Sequence, residues 1–274
     1  LFLCAGVKTV YFKYCSTFDS TPAGNIGPVL DELLRHMEAR YTLLCPALPV
    51  NGRTVRGGHL FVNGVPLHKT SMRDHPLNPM WDSEIAALMA PQSRYPCFVL
   101  TADEFMRPDH EVRSRVEELG RGHDHFYLVP EYFEDAHGAR LAELFSDLPL
   151  LSGGSGLLFH LGARHKGAPA PAPALCPSFC DNRAILLAGS CSAATRAQIG
   201  AYRDAGGPAF RMDPAAILSG AASADALWSF AERHAGRGAL FYSADEGESL
   251  PLIQKLGQQR VSDLIEGVMA ELGR

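Results

Sequence analysis

The chain lacks any apolar run near the ~18 residues a membrane-spanning helix needs, so no transmembrane segment is expected. It also lacks a surplus of positive charge. Formal net charge is -5, with 25 Lys and Arg against 30 Asp and Glu, so no nucleic-acid footprint is expected. The opening residues, from Leu1 to Gly6, have no basic flank and lead straight into a strand, unlike a signal peptide. Cysteine is odd in number, at seven, and scattered. Cys15, Cys45, Cys97 and Cys191 fall in predicted strands or glycine turns. That pattern reads as reduced, small residues of a cytoplasmic protein, not a disulfide framework.

Several familiar site patterns are missing too. There is no Gly-x-x-x-x-Gly-Lys-Ser/Thr loop and no Gly-x-Gly-x-x-Gly. Ser155 sits in a glycine-rich turn, but a hydrolase elbow would need glycine where Leu157 stands. His123-Asp-His125, and Cys176-x-x-x-Cys180 with His160 and His165 upstream, match no zinc spacing. No metal-ligand set is therefore expected.

What is present is an ordinary globular balance, 46% hydrophobic and 20% charged. The first half alternates strands and helices. Strands are predicted at 9–14, 41–45, 96–100, 126–129 and 149–152. Helices are predicted at 27–38, 82–89 (capped by Asp82 or Ser83), 109–119 and 134–145. Asn63-Gly64 is the strongest hairpin signal, between strands 59–62 and 65–68. Residues 46–54 read as turn-rich, without an apolar period. A proline–alanine run near residue 170 reads as an extended linker. Beyond it, strands at 184–188, 209–212 and 239–243 alternate with helices at 193–204 and 224–234. A last helix runs from about 250 or 260 to 272. Continuously apolar strands between helices predict parallel sheets covered on both faces. The expected architecture is two α/β domains, 1–165 and 181–274, joined by a linker at 166–180.

The stretch from Tyr11 to Gly27 has the most functional promise. It opens as a β-branched and aromatic strand and ends where Ile26, Val29, Leu30, Leu33, Leu34 and Met37 recur at helical spacing. Between lie Lys13, Asp19, a run of hydroxyl side chains and Gly24. A helix N-terminus behind such a turn suits a polyhydroxylated anion, although the same polar residues could simply cap the helix. Three more polar turns follow strands: 49–53 with Arg53, 152–156, and Gly189-Ser-Cys-Ser192. Ligands of open α/β sheets sit at strand carboxyl ends, so the opening stretch and the turns at 49–53 and 152–156, all in the first domain, could share one pocket. Ser190 and Ser192, between an apolar strand and a helix, make a plausible phosphate cradle, or a plain cap.

Lys13-Tyr-Cys-Ser-Thr-Phe-Asp-Ser-Thr-Pro-Ala-Gly-Asn-Ile-Gly-Pro28 resembles the signature of the four-carbon acid sugar kinases, closest to the 3-oxo-tetronate kinases. Cys45-Pro-Ala-Leu-Pro-Val-Asn-Gly-Arg-Thr54, Gly58-His-Leu-Phe-Val62, His75-Pro-Leu-Asn-Pro-Met80, the block from Leu148 to Gly156 and the block from Leu187 to Arg196 resemble further family blocks, in family order. The resemblance implies an ATP- and Mg²⁺-dependent kinase that phosphorylates the C4 hydroxyl of a four-carbon acid such as 3-oxo-tetronate. It implies a sugar-acid-binding N-terminal domain and a nucleotide-binding C-terminal domain, which would close about the linker. By carry-over, Asp19 is the candidate base. Lys13, Ser16, Thr17, Ser20, Asn25, Asn51, Arg53, Gly154 and Ser155 fall in sugar-acid motifs, and Ser190 and Ser192 in the ATP motif. Partners are then the acid and ATP, with a homo-oligomer left open. The segment from Leu128 to Tyr132 departs from close relatives. The family's Asp-Asp-x-Thr-Gly-Ala turn and its Gly-Gly-Glu-Thr-Ser-Gly loop are not found, which implies an incomplete stretch of such an enzyme. A D-threonate or D-erythronate kinase, a non-catalytic sugar-acid-binding module and, more distantly, a serine hydrolase using Ser155 are the alternatives.

Overall fold

The computed structural model describes residues 6–75, 78–164, 184–189, 193–243 and 255–273. The expected linker, Ser190 and Ser192 lie outside them. The chain divides into two compact units, Leu1–Pro171 and Ala172–Arg274.

In the first unit, β1 (Val10–Lys13) pairs in parallel with β8 (Leu150–Gly153), placing Lys13 opposite Gly153. A second parallel sheet has β7 (Phe126–Pro130) between β2 (Tyr41–Leu43) and β6 (Cys97–Leu100). The two are stitched together. Thr42 Oγ1 donates to the Leu150 carbonyl at 3.0 Å, Ser152 Oγ donates to the Leu43 carbonyl at 2.5 Å, and Cys45 bridges Gly153 in parallel. The carboxyl ends of all five strands therefore face one edge. β7 is buried along its whole length, as its unbroken apolar sequence requires.

Helix α1 (Ile26–His36) buries Ile26, Leu30 and Leu34, one side of the helix at i, i+4 spacing. Helices α4 (Asp109–Leu119) and α5 (Asp135–Phe145) match their periodicity. The hairpin forms at Asn63-Gly64. Both residues take positive φ, 52° and 80°, and Val62 pairs with Val65.

Four local expectations are corrected. The strand expected at 65–68 stops at Pro66 and becomes a 3₁₀ turn, Leu67–Lys69. The 46–54 stretch is turn and 3₁₀ helix up to Gly52, as expected, but its last two residues, Arg53 and Thr54, open β3 (Arg53–Arg56), paired with β4 (His59–Val62). Helix α2 spans only Ile85–Met89, because the Asp82 carboxylate takes the backbone N–H groups of Ser83 and Glu84 before the helix begins. The glycine-rich turn runs directly into a helix, α6 (Ser155–Arg164).

The second unit holds a parallel three-stranded sheet, with β11 (Ala239–Tyr242) between β10 (Ala209–Arg211) and β9 (Ile185–Ala188). Helices Ala193–Asp204, Ala224–Arg233 and Gln258–Leu272 accompany it. Phe241, Leu227 and Met212 form its buried centre. No described helix is long and apolar enough to cross a membrane.

Candidate functional site

The first unit's carboxyl-end edge collects most of the residues singled out from sequence. Lys13 ends β1, exposed, with Nζ donating to the Tyr14 carbonyl at 3.3 Å. Tyr14 turns inward. Its N–H donates to the Gly153 carbonyl at 3.1 Å, and its ring meets Phe18 edge-on at 5.6 Å. Burial pushes the phenols of Tyr11 and Tyr14 well above the ordinary tyrosine range. These hydroxyls are hydrogen-bonding groups, not bases.

The chain then makes a strained turn. Phe18 and Asp19 both have left-handed backbone, φ 61° and 51°, and the Asp19 N–H donates to the Thr17 carbonyl at 2.7 Å. Phe18 is buried and anchors the turn. Thr17 is buried, with Oγ1 3.0 Å from Cys15 Sγ, and Ser16 is half-buried. Ser20 Oγ donates to Gln92 Oε1 at 3.2 Å, and the Gly27 N–H donates to the same oxygen at 3.3 Å. Gln92 thus ties the turn to the first turn of α1. Sequence reasoning missed Gln92, which lies 72 positions from Ser20 in no recognisable pattern. Asn25 precedes α1 but makes no side-chain capping bond. Capping by this residue is therefore not what its side chain does.

The second and third motifs meet through backbone. The Gly154 N–H donates to the Cys45 carbonyl at 2.9 Å, and the Gly154 carbonyl accepts from the Tyr11 hydroxyl at 2.6 Å. A Cβ on Gly154 would lie 2.6 Å from the Pro46 carbonyl oxygen, and one on Gly156 2.4 Å from that of Ala47. These glycines were expected to let backbone approach a ligand. They let it approach the chain's own 45–48 segment. Ser155 is exposed at the start of α6. Asn51 is exposed on a 3₁₀ turn, and Arg53 folds back so that its guanidinium donates to the Asn51 carbonyl.

Among the described residues, three buried side-chain polar atoms have no hydrogen-bond partner: Asp19 Oδ1, Arg53 Nε and His68 Nδ1. Buried polar groups rarely stay unpaired, and an orphan is a place where a ligand or water completes the set. Two of the three residues are sequence-predicted site residues. In the second unit, Gly189 follows β9 and its carbonyl accepts from Ser243 Oγ at 3.2 Å, beside the end of β11. The helix Ala193–Asp204 then begins. The strand-end and helix-start arrangement expected around 189–192 is therefore present on either side of Ser190 and Ser192.

Two family models match the chain: a sugar-binding N-terminal domain over residues 2–161 and a nucleotide-binding C-terminal domain over residues 185–274. The chain belongs to the four-carbon acid sugar kinase family. It is 39% identical over 272 residues to a Pseudomonas fluorescens protein named 3-oxo-tetronate kinase, covering 98% of this chain and 63% of that one. It is 36% identical to an Escherichia coli K12 protein of the same name, covering 97% and 70%. The chain thus spans just under two thirds of the length of the Pseudomonas relative. A Salmonella typhimurium LT2 crystal structure, solved under a tRNA synthase name, superposes with TM-score 0.74 at 33% identity, covering 99% of this chain and 65% of that one. A Haemophilus influenzae structure superposes with TM-score 0.63 at 32% identity, covering 99% and 66%.

Proposed function

We propose that this sequence serves an ATP-dependent kinase that phosphorylates the C4 hydroxyl of a four-carbon sugar acid, 3-oxo-tetronate first among them. The observation that carries the reading is the pairing of a sugar-binding and a nucleotide-binding family model on one chain. The kinase name of the relatives agrees with that pairing; a tRNA synthase name does not.

Phosphoryl transfer asks a protein for alignment and charge stabilisation more than for covalent chemistry. Asp19 is the residue to accept the C4 hydroxyl proton, as its strained turn leaves one buried carboxylate oxygen without a partner. Ser16, Thr17, Ser20 and Asn25 line the same loop and would meet the acid's hydroxyls. Gly154 and Ser155 follow Gly153, the residue that pairs with Lys13 across β1 and β8. Ser190 and Ser192, ahead of the helix Ala193–Asp204, would meet the ATP phosphates with that helix's free N–H groups. Among the described residues, no group of three His, Cys, Asp or Glu side chains could hold a metal ion. Mg²⁺ brought in with the nucleotide would supply charge neutralisation at the transferring phosphoryl group.

The test is ADP release with Mg-ATP by the full-length gene product, across 3-oxo-tetronate, D-threonate, D-erythronate and L-threonate. Turnover with 3-oxo-tetronate alone supports the reading. Turnover with D-threonate or D-erythronate instead keeps the kinase and changes its substrate. Binding without turnover would leave a sugar-acid-binding module. Neither binding nor turnover would defeat the reading.

A further inference from the structure

The sugar acid's carboxylate needs a cation, and the two nearest to hand in the sequence each spend part of their donor set on a backbone carbonyl. Lys13 Nζ donates to the Tyr14 carbonyl, and the Arg53 guanidinium donates to the Asn51 carbonyl. Elsewhere in the first unit a cavity of about 450 Å³ is lined by Thr21, Pro22, His68, Arg73, Pro79 and Trp81. One wall, Thr21 and Pro22, continues the loop that carries Asp19 and Ser20. The opposite walls come from the 3₁₀ turns Leu67–Lys69 and Ser71–Asp74 and from the segment before α2.

Its chemistry suits a small carboxylate. Among the described residues, the Arg73 guanidinium has no ion-pair partner, and its planar fork can hold both oxygens of one carboxylate. His68 Nδ1 is buried and unpaired. The Thr21 hydroxyl can donate to or accept from a substrate hydroxyl. Trp81, 48% exposed, offers an apolar wall for carbon atoms. Asp82, next along the chain, forms no ion pair with Arg73 among the described residues; one of its oxygens takes the N–H groups of Ser83 and Glu84, and its charge interacts with His68. The volume falls in the range of small-molecule pockets, and a four-carbon acid fits within it.

Resting on the kinase reading, we propose that this pocket receives the carboxylate end of the sugar acid, with Arg73 as its cation and His68 and Thr21 as hydrogen-bonding partners. Thr21 is two residues from Asp19, at most about 7 Å of extended chain. That span is comparable with the length of a four-carbon acid. A four-carbon acid held by Arg73 is therefore long enough to span the separation of Thr21 and Asp19.

The experiment uses the 274-residue chain with Trp228→Phe, which leaves Trp81 as the sole tryptophan. 3-Oxo-tetronate, D-threonate, D-erythronate and the uncharged tetritol threitol are titrated by calorimetry and by Trp81 fluorescence. The expected result is saturable heat and a fluorescence change with an acid and none with threitol. Arg73→Ala should weaken acid binding at least about tenfold and Arg73→Lys less, as a charge-assisted hydrogen-bond pair is lost or halved. Arg73 is exposed, so circular dichroism should be unchanged. Heat of binding with a silent Trp81 and an unaffected Arg73→Ala variant would overturn the pocket while sparing the sugar-acid reading. No heat with any of the three acids would overturn both.

Discussion

A Cβ on Gly153 would lie 2.4 Å from the carbonyl oxygen of Cys45 and 2.8 Å from the Tyr11 hydroxyl. This contact is where the strand pair β1 and β8 meets the sheet that contains β2, and the Cys45–Gly153 bridge depends on it. No side chain fits without moving backbone. Gly153→Ala should therefore cost about 1–3 kcal/mol, the usual range for overpacking. Gly162→Ala is the control. That glycine is within α6 with nothing within 4 Å of its would-be Cβ, so alanine should stabilise by about 0.4–1 kcal/mol. Urea unfolding of both variants checks the pair. A loss below ~0.5 kcal/mol for Gly153→Ala would mean that the Cys45 segment yields.

Gln92 invites a second test. Its amide oxygen accepts from Ser20 Oγ and the Gly27 N–H, and its Nε2 donates to the Leu88 carbonyl at 3.2 Å. Gln92→Ala leaves a buried hydroxyl and a buried N–H without their acceptor. We expect a loss of about 1–3 kcal/mol in unfolding free energy and weaker sugar-acid binding. Gln92→Glu keeps an acceptor oxygen for both groups and should recover most of the binding. Equal binding by all three proteins would detach Gln92 from the loop's function.

Much of the fold was legible because it rests on local periodicity. The helices Asp109–Leu119 and Ala193–Asp204 end where their apolar spacing and flanking residues predict. β3 was not legible, since Arg53–Arg56 has no apolar alternation of its own and becomes a strand only by pairing with His59–Val62. Helix α6 was hidden by the glycines before it, whose reason is tertiary contact with 45–48. At the site, Asp19 and Arg53 were visible through their motifs, but their unpaired buried atoms were not. Gln92, His68, Arg73 and Trp81 stand far from the opening loop in sequence. Only folding of the short turns around 67–74 brings the last three beside Thr21.

The thiols predict a pH dependence. Cys45 is fully buried, and burial pushes its thiol from the usual range up to about 12. A folded value above the unfolded one means the native state holds its proton longer. The contribution is intact below the unfolded value, near 9, and lost as pH rises towards 12. Stability should fall by about 1.4 kcal/mol per pH unit in that window from this residue. Cys45→Ala should flatten the slope by that amount in urea unfolding at pH 8 to 11. At neutral pH the same burial should keep Cys45 unreactive to thiol reagents, while exposed Cys15 is labelled. Peptide mapping distinguishes the two. Labelling of native Cys45 as fast as Cys15 would contradict the burial.

Asp19 can be tested apart from its strain. Its backbone is left-handed, at φ 51°, a conformation that asparagine tolerates well and alanine poorly. Asp19→Asn should keep stability within ~0.5 kcal/mol, and Asp19→Ala should cost about 1 kcal/mol more. The two variants share the loss of the carboxylate. If Asp19 takes the C4 hydroxyl proton, both should lose about 10²–10⁴-fold in kcat in the full-length enzyme, with KM for the acid changed far less. Arg53→Ala acts differently. Its guanidinium braces the Asn51 carbonyl, so its loss should loosen the 49–53 turn and raise KM more than it lowers kcat. A rate that follows stability across the Asp19 pair, with asparagine near wild type, would make Asp19 a turn residue and nothing more. Wild-type rate and KM in both Asp19→Asn and Arg53→Ala would remove the first two motifs from the site.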